Sequence, residues 1–338
     1  MFKTVAAAFC ASLALAGAAR AADPIVLATP GVPAVFGGII AFVGKDAGIF
    51  SKYDLNVTVK PMDSGAAAAT AVEAGSIDAS LSPTQFVATM VSNAGAPMKA
   101  IWGMPKSDWL ITSMDASKTS CDAMKGQGIG VDSPRGARWI QANNYLLRKC
   151  PGLMLDKDVT SVPLGSNVGT AMASGQLVFG VLHIDDAPVI ERTSGKKVTT
   201  IAKMEDVNPG QHYLVLAVRA DNLAKKRNAM VRLVAAMRDT ASYMANPANA
   251  ERVATMAEPT KREKPDAMAA LKAYNELGYW PSKDAGLDKT AMQKAIDQQV
   301  AAGKASEGKS GIKPDKTPVS YEQLVDLTVW ADAEKVKK

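Results

Sequence analysis

The chain has 338 residues, 47% of them hydrophobic, and a formal charge of +6. That length favours two domains over one, and the hydrophobic share lets each bury a core. Lys3 and Arg20 supply two of the positive charges, so the chain beyond residue 21 is near +4, too thin and scattered a surplus for a nucleic-acid surface.

The N-terminus reads as an export signal. Lys3 gives the positive start, residues 5–16 form an apolar run too short for a mature membrane span, and Ala19-Arg20-Ala21 offers the small residues that a signal peptidase reads. Cleavage is expected after Ala21, with Ala22 the near alternative. Cys10 lies inside the apolar run without a lipoprotein context, so the mature chain is expected to be soluble and periplasmic. No second stretch is long and apolar enough to cross a membrane. Cys121 and Cys150 remain, and an even pair in an exported chain predicts one disulfide, with two buried free thiols as the alternative. Such a bond would contribute about 3–4 kcal/mol by chain-entropy reasoning.

Strands and helices then alternate. Residues 25–27 read as a strand, 38–47 as a helix stopped by Gly48, and 55–59 as an alternating strand. An alanine-rich helix over 66–74 ends at Gly75, a strand follows over 77–81, and Ser82-Pro83 is expected to open the next helix with serine as cap. Residues 98–102 form a fourth strand. The pattern restarts after Cys121: strand 128–131, a helix opened by Ser133-Pro134 and running to about 149, strand 159–163, a helix opened by Ser166-Asn167 and closed by Gly175, and strand 177–182. Residues 71–78 and 171–178 echo one another as helix, glycine stop and strand, which predicts two related α/β lobes with mostly parallel sheets. After the apolar strand 214–218 the chain turns helical over 229–244, 264–277 and 290–302. A loop over 303–318 and a short closing helix over 321–329 end it.

Ligands of open parallel sheets bind outside the carboxyl ends of the strands. The junctions there contribute Pro33, Phe36, Ser64, Gly65, Thr84, Gln85, Ser133, Arg135, Gly136 and Asn167 as candidate ligand contacts. Several helix starts aimed into one cleft suit an anion or a hydrogen-bond acceptor, and Arg135 suits carboxylate or sulfonate. Each junction taken alone also reads as ordinary capping. His183, Asp185 and His212 are further candidates. His183 with Asp185 and Asp186 is too sparse for a metal or catalytic assignment, and ligand contact or helix capping is the better reading. Trp102, at a strand end, is a candidate stacking platform, as are Trp109 and Trp139, with packing the plainer role. The glycines at 126, 128 and 130 enter a strand instead of following one, so they are no dinucleotide fingerprint. No cofactor, metal or catalytic constellation is expected.

Four segments carry a family resemblance: Gly44-Lys45-Asp46-Ala47-Gly48-Ile49-Phe50 followed by Leu55-Asn56-Val57; Ser64-Gly65 through Ala74-Gly75-Ser76-Ile77-Asp78; Ala94-Gly95-Ala96-Pro97-Met98-Lys99; and Met124-Lys125-Gly126-Gln127-Gly128-Ile129-Gly130-Val131. In this order the chain resembles the nitrate/sulfonate/taurine type of ABC-transporter substrate-binding protein, which shares its fold with the fungal thiamine-pyrimidine synthases. The resemblance runs from about residue 25 to 330. It departs at Val178, where the family has an acid, and at His183–Pro188, where the family's cleft is aromatic; the synthases' cysteine-rich motif is absent.

The resemblance implies an α/β, two-lobed periplasmic-binding-protein fold of type II-like form, with the ligand cleft between the lobes and a helical C-terminal part. The first lobe would hold 22–113 and, through a return strand and the C-terminal helices, 214–338; the second would hold 114–213. Crossings are placed near 112–116 and 212–216. The implied role is capture of a small ligand by hinge closure and delivery to a membrane permease, by a monomer. A sulfonate or aromatic carboxylate is the first ligand choice and a neutral heterocycle such as a pyrimidine the second. An exported enzyme using His183 with Asp185 or Asp186, and a sensor with a different membrane partner, are the other readings.

Overall fold

The computed structural model describes residues 21–134 and 136–337; the expected signal segment through residue 20 and Arg135 lie outside the described residues. The strands are β1 (Asp23–Pro30), β2 (Leu55–Met62), β3 (Ala79–Pro83), β4 (Met98–Met104) and β5 (Trp109–Ser113). Then come β6 (Gly128–Val131), β7 (Thr160–Pro163), β8 (Phe179–His183), β9 (Thr199–Lys203) and β10 (Leu214–Arg219). They form two five-stranded sheets, ordered β2-β1-β3-β10-β4 and β7-β6-β8-β5-β9.

The two sheets share one plan. In the first, β1 pairs in parallel with β2 and β3, and β10 runs antiparallel between β3 and β4. In the second, β6 pairs in parallel with β7 and β8, and β5 runs antiparallel between β8 and β9. The sequence echo has a matching local structure. Gly75 and Gly175 both take positive φ, +76° and +83°, which glycine adopts without a Cβ penalty. The next residue then donates back to the helix, Ser76 N to Ala71 O at 3.0 Å and Gln176 N to Ala171 O at 2.9 Å. The echo ends at Asp78, whose carboxylate accepts from Val26 N and holds Lys226 and Asn222; Val178 occupies the matching place.

The chain passes between sheets at 105–108 and again at 204–213, because β5 belongs to the second sheet. A boundary at 112–116 was expected; those residues fall at and just after the end of β5, which pairs with β8 from Trp109↔His183 to Ser113↔Phe179. β5 is buried on both faces, so it lacks the alternation that betrays a half-exposed strand, and polar β9 reads as loop. The closing helix is also divided, into Tyr321–Leu324 and Thr328–Ala333, because Val325 bridges to Ala100 of β4 and Asp326 N donates to Ala100 O.

Two expected serine caps are replaced. Ser82 stays in β3, opposite Val215 of β10, with its hydroxyl bonded to Ser80 at 2.7 Å; the helix Thr84–Ala94 starts after Pro83. The helix Ala137–Lys149 starts after Gly136, and Asp132, not Ser133, accepts from its Arg138 N at 3.2 Å. The C-terminal helices Arg227–Ala245, Lys264–Leu277 and Lys289–Ala305 follow closely the expected spans. The first packs on the helix Ile39–Asp46 and the third on Thr84–Ala94, which assigns them to the first lobe. Cys121 and Cys150 are disulfide-bonded, with 5.4 Å between Cα atoms, within the second lobe. No described helix is long and apolar enough to cross a membrane.

Candidate functional site

The two crossings, the start of β5, the end of β8 and the C-terminal helices converge between the lobes. β5 and β8 place Trp109 and His183 as a cross-strand pair, and their rings stack with centroids 3.7 Å apart. Tyr213 meets Trp109 edge-on at 6.3 Å. Tyr279 in turn contacts Tyr213 and Tyr274, and Phe36 and Trp280 complete the aromatic wall against Tyr274.

A charged cluster lies beside this wall. Asp108, 1% exposed, accepts from the Tyr274 hydroxyl and meets His183 Nδ1 at 2.8 Å. Tyr274 also donates to Asp185 at 3.1 Å. Arg262 forms an ion pair with Asp185, without hydrogen-bond alignment, and donates to Asp186 at 2.8 Å. Arg138 reaches Asp186 from the other side at 3.3 Å and lies over the Trp109 ring. Tyr274 and Arg262 come from the C-terminal part and the aspartates at 185 and 186 from the second lobe, so the cluster joins the lobes. Arg192 with Asp266, at 2.6 Å, makes a second such link. Among the described residues, one oxygen of Asp108, one of Asp185 and the Nε of Arg262 have no hydrogen-bond partner.

The protonation states follow from this packing. Burial pulls the His183 ring toward neutrality, but the charge and hydrogen bond of Asp108 outweigh it and raise the pKa above 6.5. Burial also opposes ionisation of Asp186, yet Arg138, His183 and Arg262 push its pKa down to about 2. Asp185 moves the other way: burial and the charge of Asp186 outweigh Arg262 and raise its pKa.

On the other side of Tyr213 lies a small cavity of about 10 Å³, lined among the described residues by Gln85, Ser107, Gln141, Met204, Asn208, Gln211, His212 and Tyr213. Gln85 comes from the first lobe, Gln141 from the second, Ser107 from the first crossing and the rest from the second. None of these side chains is a cation or an anion. His212 Nε2 faces the Gly286 carbonyl at 2.5 Å; a carbonyl only accepts, so the proton is on Nε2 and Nδ1 accepts from the Thr84 hydroxyl at 2.7 Å. Burial pushes the His212 pKa down to about 4, against the pull of the Gly286 carbonyl.

The structure brings together Phe36, Thr84, Gln85, His183, Asp185 and His212 of the expected contacts, with Thr84 acting through His212. The others sit elsewhere. Pro33 is exposed, and Ser64 caps its own helix through Ala67 N at 3.1 Å. Gly65 packs so close to Pro83 that a Cβ would stand 2.6 Å from its ring. Trp102 is fully buried in β4 and lines none of the cavities described. Ser133 and Asn167 are exposed, Gly136 precedes a helix, and Trp139 donates to Asp156 at 2.9 Å. Arg135 lies outside the described residues. Among the described residues, no three His, Cys, Asp or Glu side chains are grouped as metal ligands.

Asp108, Arg138, Gln141, Asn208, Gln211, Arg262, Tyr274 and Tyr279 escape the sequence reading. Two signals for them were present. Asn208-Pro209-Gly210-Gln211 is a strong turn sequence at a crossing, and Tyr274, Tyr279 and Trp280 concentrate rings in a chain that is 6% aromatic.

Residues 38–258 match the model of the NMT1-like family. The chain belongs to the NMT1-like family. Its fold is that of solved two-lobed binding proteins. The periplasmic nitrate-binding protein of Synechocystis is 14% identical, covers 92% of this chain and 88% of its own, and superposes with a TM-score of 0.69. The periplasmic aliphatic sulphonate binding protein of Escherichia coli is 13% identical, with 86% and 95% covered and a TM-score of 0.66. A zinc-bound ligand-binding component of an ABC-type import system from Staphylococcus aureus is 11% identical, with 92% and 99% covered and a TM-score of 0.68. No curated protein sequence matches the chain. Within this NMT1-like chain the aromatic wall, the charged cluster and the carboxamide-lined cavity all lie where the two lobes meet.

Proposed function

We propose that this NMT1-like chain is the exported solute-binding component of an ABC importer, closing its lobes over a small molecule and presenting the closed form to a membrane permease. The observation that carries this reading is the origin of the cavity lining: Gln85 and Gln141 come from opposite lobes, and Ser107 and Asn208 from the two crossings. A solute touching all four is bound only when the lobes are together, so occupancy and closure are one equilibrium. Membership of the NMT1-like family and the shared fold support it.

The chain starting at residue 22 should be screened by thermal shift against sulfonates, carboxylates, nitrate, ureas and pyrimidines. A ligand at about a hundred times its Kd should stabilise the fold by about 2.7 kcal/mol. Small-angle scattering should show compaction on saturation, and the ligand should be recovered unchanged. Binding without compaction would sink the closure mechanism, and consumption of the ligand would favour the enzyme reading through His183.

A further inference from the structure

We infer that a strip of ion pairs along the lobe boundary closes the solute-free protein for a fraction of the time, in the register seen here, before any solute arrives. This rests on the closing motion of the proposed function and names groups of the protein itself that bias it.

The strip has a charge pattern on each side. The helix Asp186–Ser194 of the second lobe has Asp185 and Asp186 at its start and Arg192 two turns beyond Asp185, on the same face. Across the boundary, Arg262 and Glu263 precede and Asp266 opens the helix Lys264–Leu277, which packs on Ala250–Met256 in the C-terminal part of the first lobe. The charges run minus, minus, plus on one side and plus, minus, minus on the other. Arg262 meets Asp185 and Asp186. Arg192 meets Asp266 through Nε at 3.1 Å and Nη2 at 2.6 Å, and Glu263 at 3.2 Å. Sliding one side along the other sets Arg192 toward Arg262, or the aspartates 185 and 186 toward Glu263 and Asp266, so like charges oppose other registers.

Burial decides that these pairs count. The Asp185 side chain is 1% exposed and that of Asp266 7%, and the arginine facing each belongs to the other lobe. Exposed surface pairs contribute little, whereas sheltered ones escape most of the screening by salt. Sheltering also strips each charge of hydration, and only good geometry offsets that loss. Arg192 has such geometry, with two N–H groups on one carboxylate.

When the lobes part, both members of each pair return to water and neither is stranded. The net gain on closing is therefore modest, and the strip biases the equilibrium without locking it. A closed share already present reduces what a solute must supply. Losing the strip then weakens the binding of every solute alike, with no contact to any of them.

The test is single-molecule energy transfer on the chain from residue 22, refolded from denaturant to remove any carried solute. Dyes are placed at Gln176→Cys on the second lobe and Lys272→Cys on the first, both exposed positions. The solute-free labelled parent should show two populations, one of them at the spacing of this structure. Arg192→Glu brings three carboxylates together and should lower the closed-to-open ratio by roughly ten-fold or more, the equivalent of one charge-assisted hydrogen bond. Asp266→Asn, made on the other lobe, should lower it too, and it decides the case if Arg192→Glu does not fold. Lys289→Glu reverses a first-lobe charge paired with Glu322 away from the strip and should leave the ratio unchanged. A single open population in the parent overturns the inference and leaves the receptor reading standing, since a solute can still close the lobes. A closed share that neither strip variant lowers overturns it as well. A single population at the closed spacing in parent and variants alike means that the lobes do not part, and overturns both.

Discussion

The two halves of the cleft solve the problem of burying polarity in opposite ways. Around Asp108, every charged side chain has an opposite charge or a phenol against it: His183 and Tyr274 on Asp108, Arg262 on Asp185 and Asp186, Arg138 on Asp186. Among the described residues that line the cavity at Asn208 none is an acid, a lysine or an arginine, and the Asn208 amide has no partner. The first half ties the lobes together through ion pairs, while one oxygen of Asp108, one of Asp185 and the Nε of Arg262 keep no hydrogen-bond partner among the described residues; in the second half the Asn208 amide and the Ser107 hydroxyl are the unpartnered groups. An ion-paired cluster and a neutral, amide-lined cavity thus lie side by side, divided by Tyr213.

Removing one member of the charged half gives the largest expected effect. Asp186→Ala leaves Arg138 and Arg262 with no shared acceptor and should cost about 3–4 kcal/mol in chemical denaturation, since breaking a buried pair strands its partner. A loss below about 1 kcal/mol would show that water reaches the cluster freely.

Acid separates the halves by sign. His212, held near a pKa of about 4, binds fewer protons folded than unfolded between pH 6.5 and 4. Stability therefore falls as pH drops through that window, by about 3 kcal/mol between pH 7 and pH 4. His212→Gln should remove that slope. His183 works the other way: its pKa is raised, so its contribution is full below 6.5 and fades as pH rises through the folded value. Asp186, depressed to about 2, contributes fully above its ordinary 3.8 and loses this as pH falls toward 2. Denaturation curves at stepped pH resolve the three.

Tyr274→Phe removes the hydroxyl shared by Asp108 and Asp185 and should cost about 2 kcal/mol, charge-assisted bonds being the stronger ones. The smallest effect has the opposite sign. Asn208→Leu removes two unmet groups and should raise the stability of the free protein by about 1 kcal/mol. A destabilised Asn208→Leu would place Asn208 with the satisfied half and erase the contrast.

The fold was legible because it repeats. Strand and helix periods, the glycine stops at 75 and 175 and the cysteine pair are local patterns, and the sheets obey them. What escaped was either locally featureless or brought together by distance. β5 is buried on both faces and shows no alternation. Asp108 and Tyr274 stand 166 positions apart, and no period in the chain joins them. The strand-end rule led to Gln85 and His183, but it points at helix starts, whereas the amides at 208 and 211 sit on a crossing. The histidines carried no mark of their difference, because what separates them is whether a carboxylate or a carbonyl faces the ring.

The exchange of strands between the sheets has a consequence for assembly. β5 is the first strand of its lobe to be synthesised, so everything from Trp109 to Lys203 needed for the second sheet is one continuous stretch. The first sheet ends at Met104 in sequence but waits for β10, starting at Leu214, to fill the gap between β3 and β4. Until it arrives, β3 and β4 have open edges and the first lobe is unfinished. The second lobe therefore has the shorter-range contacts and the faster route to its native form, and the first is the one that needs protection while the chain is incomplete.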